Sequence, residues 1–250
     1  MTIAVALTLF VSGLLAGAIN AVAGGGTFLT FAALSLAGIP PVGANATSAI
    51  AQFPGYVAST LAYRAEFARL LGPVLGLGLL SAAGALAGAM LLLALDDDGF
   101  RRLVPWLLIA ATGLFAAGPW LRPRLRPDAP APLGPAAGGL LQFATAVYGG
   151  FFGAGMGVMM LATLGLTRGG DYHRLNALKN LLSIVIAAVA ILVFVSGGVV
   201  AWREALAMIP GVVLGGYAGV AAARRLAEPV LRAAVITVGL ALAAYYAMGG

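Results

Sequence analysis

The sequence predicts an all-helical bundle that spans a membrane, and three observations point to it. Hydrophobic residues make up 62% of the 250 and charged residues 9%, at a mean hydropathy of +1.03, which leaves too little polar surface to wrap a soluble globule. The apolar stretches run for about 17 to 25 residues, the length a helix needs to cross about 30 Å of hydrocarbon at 1.5 Å per residue. Barrel strands would show short alternating segments instead. The third observation is a duplication, described below.

The segments follow in order. Apolar runs cover residues 3–23, 27–38, 44–63, 71–95 and 102–121. A linker rich in Arg and Pro, RPRLRPDAPAPLGP, occupies 122–135. Further runs cover 136–153, 156–167, 175–197, 204–223 and 230–248. The expected organisation is a first membrane repeat over 1–121, a cytoplasmic linker over 122–135 and a second membrane repeat over 136–250. No basic residue precedes Arg64, so the first segment lacks the charged start of a cleavable signal and is expected to stay in the mature protein. With no Cys, disulfides and thiolate metal sites are excluded. A net charge of +6 calls for no nucleic acid, because basic loops are the ordinary mark of membrane orientation.

Sliding the second half onto the first by 131 positions aligns Gly24 with Gly155, Gly26 with Gly157, Asn45 with Asn176 and Arg101 with Arg232 in one ungapped register. Small-residue pairs recur too, in GALAG at 84–88 and GGYAG at 215–219, and read as helix packing. If each half crosses the membrane an odd number of times, the basic residues divide 11 to 3. Only Arg101, Arg102 and Arg203 then lie on the minority side. Parallel halves would divide them 8 to 6, which is no bias. The orientation rule therefore favours inverted repeats, with the linker in the cytoplasm and Asp96, Asp97 and Asp98 outside.

The stretch NAVAGGGTF at 20–28 breaks the first apolar run. Each glycine in a helix costs about 1 kcal/mol relative to Ala, and backbone freed inside a membrane must find partners or line a cavity. The segment that follows is long enough only for a half-helix. Its N-terminus would lie inside the membrane with unpaired N–H groups and a partial positive charge, a setting for an anion. Gly24, Gly25, Gly26 and Thr27 are candidate binding residues on this argument. GGFFGAGMGVMML at 149–161 repeats the device and adds Gly155 and Gly157. Two such ends in inverted repeats would meet near the midplane, where secondary transporters hold substrate.

These residues carry a resemblance. The glycine cluster, PPVGANATS at 40–48, a second Gly-Met-Gly copy and HRLNALKNLLSIVIAAVA at 173–190 together resemble the sulfite exporter TauE/SafE family over nearly the whole chain. The chain departs from that pattern where the family has a proline soon after each glycine cluster, having Thr30-Phe31 and Leu161-Ala162 there. The resemblance implies a multi-pass permease of the cell membrane exporting small anions, with sulfite and organosulfonates as the associated substrates.

Polar residues inside apolar segments are costly and tend to face the bundle or an aqueous cavity. Asn45, Ser48 and Gln52 share one helical face, as do Asn176, Lys179, Asn180 and Ser183 in the second half. Lys179 is the sole lysine and aligns with Ser48. Two readings stand for it: counter-ion to a bound anion, or a side chain snorkelling to the headgroups. His173, the sole histidine, reads as a solvated loop residue, Gln142 as packing, and Asn20 as either packing or site. Trp106, Trp120, Trp202 and Tyr63 read as interfacial anchors.

No segment holds a Ser-His or Asp-Asp pair, and the spans carry no carboxylate, so an enzyme is not expected. No cofactor or metal is expected either. The expected partners are a small anionic substrate and the bilayer. The alternative function is a membrane scaffold or assembly factor without transport. The topology has a direct check. A cysteine at Pro127 should react with reagents applied from the cytoplasm and one at Asp97 with reagents applied outside, and equal sidedness would defeat the inverted arrangement.

Overall fold

A computed structural model describes residues 1–23, 25–62, 71–121, 134–168, 172–222 and 228–248. Ten helices and no strands occur among them: α1 Ile3–Ala23, α2 Thr27–Leu36, α3 Pro41–Ala62, α4 Leu71–Leu93, α5 Asp97–Leu121, α6 Pro135–Phe151, α7 Met156–Arg168, α8 Tyr172–Ser196, α9 Trp202–Ala222 and α10 Glu228–Ala247. Gly24, Tyr63, Arg64 and residues 122–133 of the linker lie outside the described residues, as do the side chains of Trp120 and His173.

The helices start where local chemistry favours a start. Asp97 and Asp98 occupy the first turn of α5, where their charge meets the positive end of the helix dipole, so this helix begins five residues before the apolar run. Pro135 opens α6, where its missing N–H costs nothing, and Glu204 sits in the first turn of α9. Helix α2, at 10 residues, is about 15 Å long, half a bilayer core.

Among the described residues, three helices contain windows long and apolar enough to cross a membrane, at Ile3–Asn20, Leu75–Leu93 and Arg174–Ser196. Large apolar side chains face outward along the bundle, among them Leu7, Leu79, Leu192, Leu206 and Tyr217, while Asn20, Thr30, Asn45, Gln52, Asn176 and Lys179 are buried. Lipid as the surrounding solvent accounts for this polarity. Trp202, exposed at the start of α9, fits an interfacial anchor, whereas Trp106 lies well inside α5 with its ring outward among apolar neighbours.

Small residues set the closest helix pairs. A Cβ at Gly211 would run into the Phe10 carbonyl, and one at Gly215 into the Leu14 carbonyl, so α9 lies directly on α1. A Cβ at Gly84 would sit 2.7 Å from the Phe143 carbonyl oxygen, and one at Gly88 would meet the Val147 carbonyl, so α4 lies in the same way on α6. Residue numbers advance together along both contacts, which makes each pair parallel. Backbones this close gain dispersion contacts over a long seam, the main source of helix association in lipid. The packing role read for Gly84, Gly88 and Gly215 is therefore what the structure uses.

Side-chain hydrogen bonds tie the helix ends at one face. Asp97 Oδ1 accepts from the Val42 N–H at 3.0 Å, Thr47 Oγ1 accepts from the Ala201 N–H at 2.9 Å, and the Tyr246 hydroxyl donates to Ser35 Oγ at 2.9 Å. The end of α2, the starts of α3, α5 and α9 and the end of α10 therefore share that face. At the other face the starts of α4 and α6 and the end of α7 line a common groove around Gly76, Gly138 and Thr167.

The seam between α4 and α6 predicts a contrast within one helix. Overpacking costs about 1–3 kcal/mol and more where backbone blocks relief. Gly88→Leu should therefore lower the unfolding midpoint of the purified protein markedly. Gly76→Leu, where an added Cβ meets nothing within 4 Å, should leave it unchanged or raise it.

Candidate functional site

The two glycine breaks are built differently. In the second, Gly153 and Gly155 both have φ near +74°, the left-handed region that side chains disfavour, so this turn needs glycine at both places. The N–H groups of Phe152 and Gly153 both donate to the Tyr148 carbonyl, at 2.9 and 3.1 Å, closing the end of α6. The Tyr148 hydroxyl donates to the Ala154 carbonyl at 2.6 Å and clamps the turn from the side. Asn45 of α3 reaches across from the first half, its Nδ2 donating to the Phe151 carbonyl at 2.9 Å. A carbonyl that α6 leaves unpaired is thus satisfied by the opposite half of the chain.

In the first break Gly26 keeps a helical φ of −61° and caps α2, with the N–H groups of Leu29 and Thr30 donating to its carbonyl. Its missing side chain lets the start of α2 press on α1, because a Cβ there would collide with the Ala16 carbonyl. Tight packing of α2 on α1 is thus one use of this glycine. Gly25 is buried in the same turn.

Above this break α2 and α3 share a polar layer. The Thr30 hydroxyl donates to the Thr27 carbonyl at 3.2 Å and lies 2.6 Å from Ser48 Oγ. Gln52 Nε2 also donates to Thr30 Oγ1, at 3.4 Å. The Tyr56 hydroxyl lies near the side chains of Thr27 and Asn20. Asn20 is buried beside this layer, while Gln142 donates to Ser81 Oγ at 2.9 Å between α6 and α4, as packing.

A small cavity lies between the halves. Thr27, Asn45, Gln52 and Tyr56 line it from the first half, and Gly149, Gly150 and Gly153 from the end of α6. Phe152, Met156, Ile186, Ala187 and Phe194 supply apolar walls. Its volume is about 20 Å³, room for one water-sized particle. An aromatic stack closes one side. Phe31 meets Phe152 edge-on at 5.5 Å between centroids and stacks on Tyr246 at 6.0 Å.

Of the residues singled out from sequence, the structure brings Thr27, Asn45 and Gln52 to the cavity, with Ser48 one layer behind. Gly157 is buried in the first turn of α7, and Gly155 faces Ala111 and Phe28 rather than the cavity. Asn176, Lys179 and Asn180 are buried on α8 but stand about two turns from Ile186 and Ala187, the nearest cavity residues on that helix. Lys179 is 3% exposed and forms no ion pair with a carboxylate among the described residues. No cluster of His, Asp or Glu fit to hold a metal occurs among them. Tyr56, Tyr148, Thr30, Gly149 and Gly150 were not anticipated. Tyr56 continues the Asn45, Ala49, Gln52 face by one turn, and that spacing could have found it.

Known proteins resemble this chain along most of its length. The family described as sulfite exporter TauE/SafE matches residues 9–246. A probable membrane transporter protein, ORF9, from Sinorhizobium sp is 30% identical over 94% of this chain and 89% of its own. The probable membrane transporter protein YfcA of Escherichia coli K12 is 28% identical over 94% and 87%, and one from Haemophilus influenzae is 26% identical over 84% and 82%. No solved structure matches. Helices fit for a bilayer, polar residues turned inward and this match along the chain lead to one conclusion: the protein is a membrane transporter of the sulfite exporter TauE/SafE family.

Proposed function

We propose that this chain is a multi-pass permease of the cell membrane that moves small anions through a centre formed by two inverted repeats. The observation that carries the reading is Lys179, a cation buried in the bundle on a face shared with Asn176, Asn180 and Ser183. An unpaired charge in that setting is expensive unless a ligand offsets it. Its burial speaks against a side chain reaching for headgroups.

The repeat reading draws support from the order of elements: in each half a short helix, α2 or α7, follows a glycine-rich break and precedes a long helix with buried polar residues, α3 or α8. Inversion draws support from the faces: α2 ends beside the start of α3, whereas α7 ends beside the starts of α4 and α6, at the opposite face. Parallel contact of α1 with α9 is matched by that of α6 with α4, as a two-fold axis in the membrane plane would require. The residues 1–121 and 136–250 are then the two repeats, joined by the 122–135 linker.

The substrate class follows from Lys179, the one buried cation among the described residues, and the neighbouring amides and hydroxyl: a small oxyanion, with sulfite or an organosulfonate as the first to test. The 20 Å³ cavity is too small for such an ion, so transport requires the halves to move. The hydrogen bonds of Val42 with Asp97 and of Ala201 with Thr47 are suited to hold one face shut. No cofactor and no catalytic step enter this scheme. A scaffold role would use the helices but leave the buried cation without purpose.

Loss of one desolvated counter-charge typically costs about 2–5 kcal/mol, roughly thirty- to several-thousand-fold in affinity. Lys179→Met should weaken sulfite uptake into proteoliposomes by at least the lower figure. Lys179→Arg should recover only part of it, because the guanidinium spreads its charge over a wider fork. A change below about threefold in correctly inserted protein would remove Lys179 from the mechanism.

A further inference from the structure

We infer that the groove between α4, α6 and α7 is a site for one anionic phospholipid of the surrounding bilayer, its headgroup at Arg168 and an acyl chain along the leucines beyond it. The groove has a volume of about 550 Å³, within the range of pockets that hold organic ligands. It opens at the face where α4 and α6 start and α7 ends. Gly76, Leu77 and Leu80 of α4, Pro135 of α6 and Leu164 and Arg168 of α7 line it. Polar and apolar parts are separated along the helix axes. Leu77 and Leu80 fall within the apolar window Leu75–Leu93, and Leu164 lies one turn inside Arg168, the last residue of α7. A phospholipid presents charge and hydrocarbon in that same order, from the membrane surface inward.

Charge selects an anionic lipid over a zwitterionic one. Arg168 is exposed and has no carboxylate partner among the described residues, and no Asp or Glu lines the groove. The hydroxyls of Thr163 and Thr167 donate to the carbonyls of Met160 and Thr163, at 3.0 and 2.7 Å, so the guanidinium is the donor free to meet a phosphate. Helix α6 begins beside it with no side-chain cap and no acidic residue in its first turn, which leaves the positive end of its dipole uncompensated. The sequence leading into this face is basic as well: Arg64 and Arg69 precede α4, and Arg122, Arg124 and Arg126 precede α6, against Glu66 and Asp128. Basic clusters beside membrane helices attract anionic lipid. The groove at the opposite face, about 480 Å³, is lined by Asp96 and Asp97 and by no cation, and would repel the same headgroup.

A soluble anion shares the headgroup's charge, and the rest of the lining separates the two. Leu77 and Leu164 form a buried floor, and Leu80 and its neighbour Leu79 are exposed on α4, so the groove runs on into the lipid-facing surface. A soluble anion would use Arg168 and leave that floor uncovered, whereas an acyl chain covers it. Glycine keeps the space open: a Cβ added at Gly76 would meet nothing within 4 Å. Lys179 is not in the lining, so the lipid and the transported anion occupy separate places. The inference needs only that the chain is embedded in a bilayer, and it holds whatever solute the chain moves.

The test titrates delipidated full-length protein in a neutral detergent with dioleoyl phosphatidylglycerol and counts bound lipid by native mass spectrometry. Dioleoyl phosphatidylcholine, with the same chains, and free glycerol phosphate, with the same anionic group, are the comparisons. The expected result is one phosphatidylglycerol per chain, held at least about fivefold more tightly than phosphatidylcholine and not displaced by glycerol phosphate; one basic residue at a membrane surface contributes about that factor. Arg168→Gln should remove the preference and Arg168→Lys should keep it. Arg102→Gln, which takes one exposed charge from the opposite face, should leave the affinity within about twofold. Gly76→Leu fills the groove with every charge in place, so it should weaken phosphatidylglycerol binding at least about fivefold without earlier unfolding, and it decides the matter should Arg168→Gln fail to fold. Absence of binding, equal binding of the two lipids, displacement by glycerol phosphate, equal losses from Arg168→Gln and Arg102→Gln, or unchanged binding in Gly76→Leu overturns the inference. Lipid counts involve no flux, so this outcome and that of the transport assay stand apart.

Discussion

The backbone of the second break must be satisfied where water cannot help it, and the rest of the centre is arranged around that constraint. In lipid a free carbonyl costs several kcal/mol. The chain answers with two side chains: Tyr148 closes the turn onto Ala154, and Asn45 crosses from the other half to Phe151. The second contact is the consequential one, because it fixes the position of α3 against the end of α6. Thr27, Gln52 and Tyr56 come to the cavity as neighbours of that contact.

Glycine serves two ends in this architecture. At Gly153 and Gly155 it permits a left-handed turn, and at Gly17, Gly88, Gly211 and Gly215 it permits helices to touch backbone to backbone. The second use makes α1 with α9, and α4 with α6, stiff pairs. Stiff pairs on either side of a small cavity suit motion of whole elements rather than of single side chains. The hydrogen bonds at the face shared by α3, α5 and α9 are few and partly exposed, so breaking them costs little beside separating the glycine seams.

Much of the fold was legible in the sequence because apolar run length is a direct physical requirement of a bilayer. All ten segments became helices, the largest offset falling at α5, where Asp97 and Asp98 extend the helix into polar surroundings. The site was legible in part. Helical spacing put Asn45, Ser48 and Gln52 on one face and they share one region of the structure. Spacing identifies a face and not a depth, which is why Asn176, Lys179 and Asn180, correctly turned inward, lie about two turns from the cavity. At Gly26 the close approach to the Ala16 carbonyl is a contact between helices that spacing does not reveal. The places of Tyr148, Gly149 and Gly150 depend on how a turn closes in three dimensions, and nothing in their spacing announces it.

The central claim is that the polar region between the halves is a route for solutes and not a packed core. The chain has no cysteine, so a single one can report on that region without background. Ala49 lines the cavity beside Asn45 and Gln52, and Ala49→Cys should be modified by a small water-soluble thiol reagent in membrane-embedded protein. Modification should stop anion flux, and sulfite should slow the reaction. An active Ala49→Cys protein that the reagent never reaches would contradict the account.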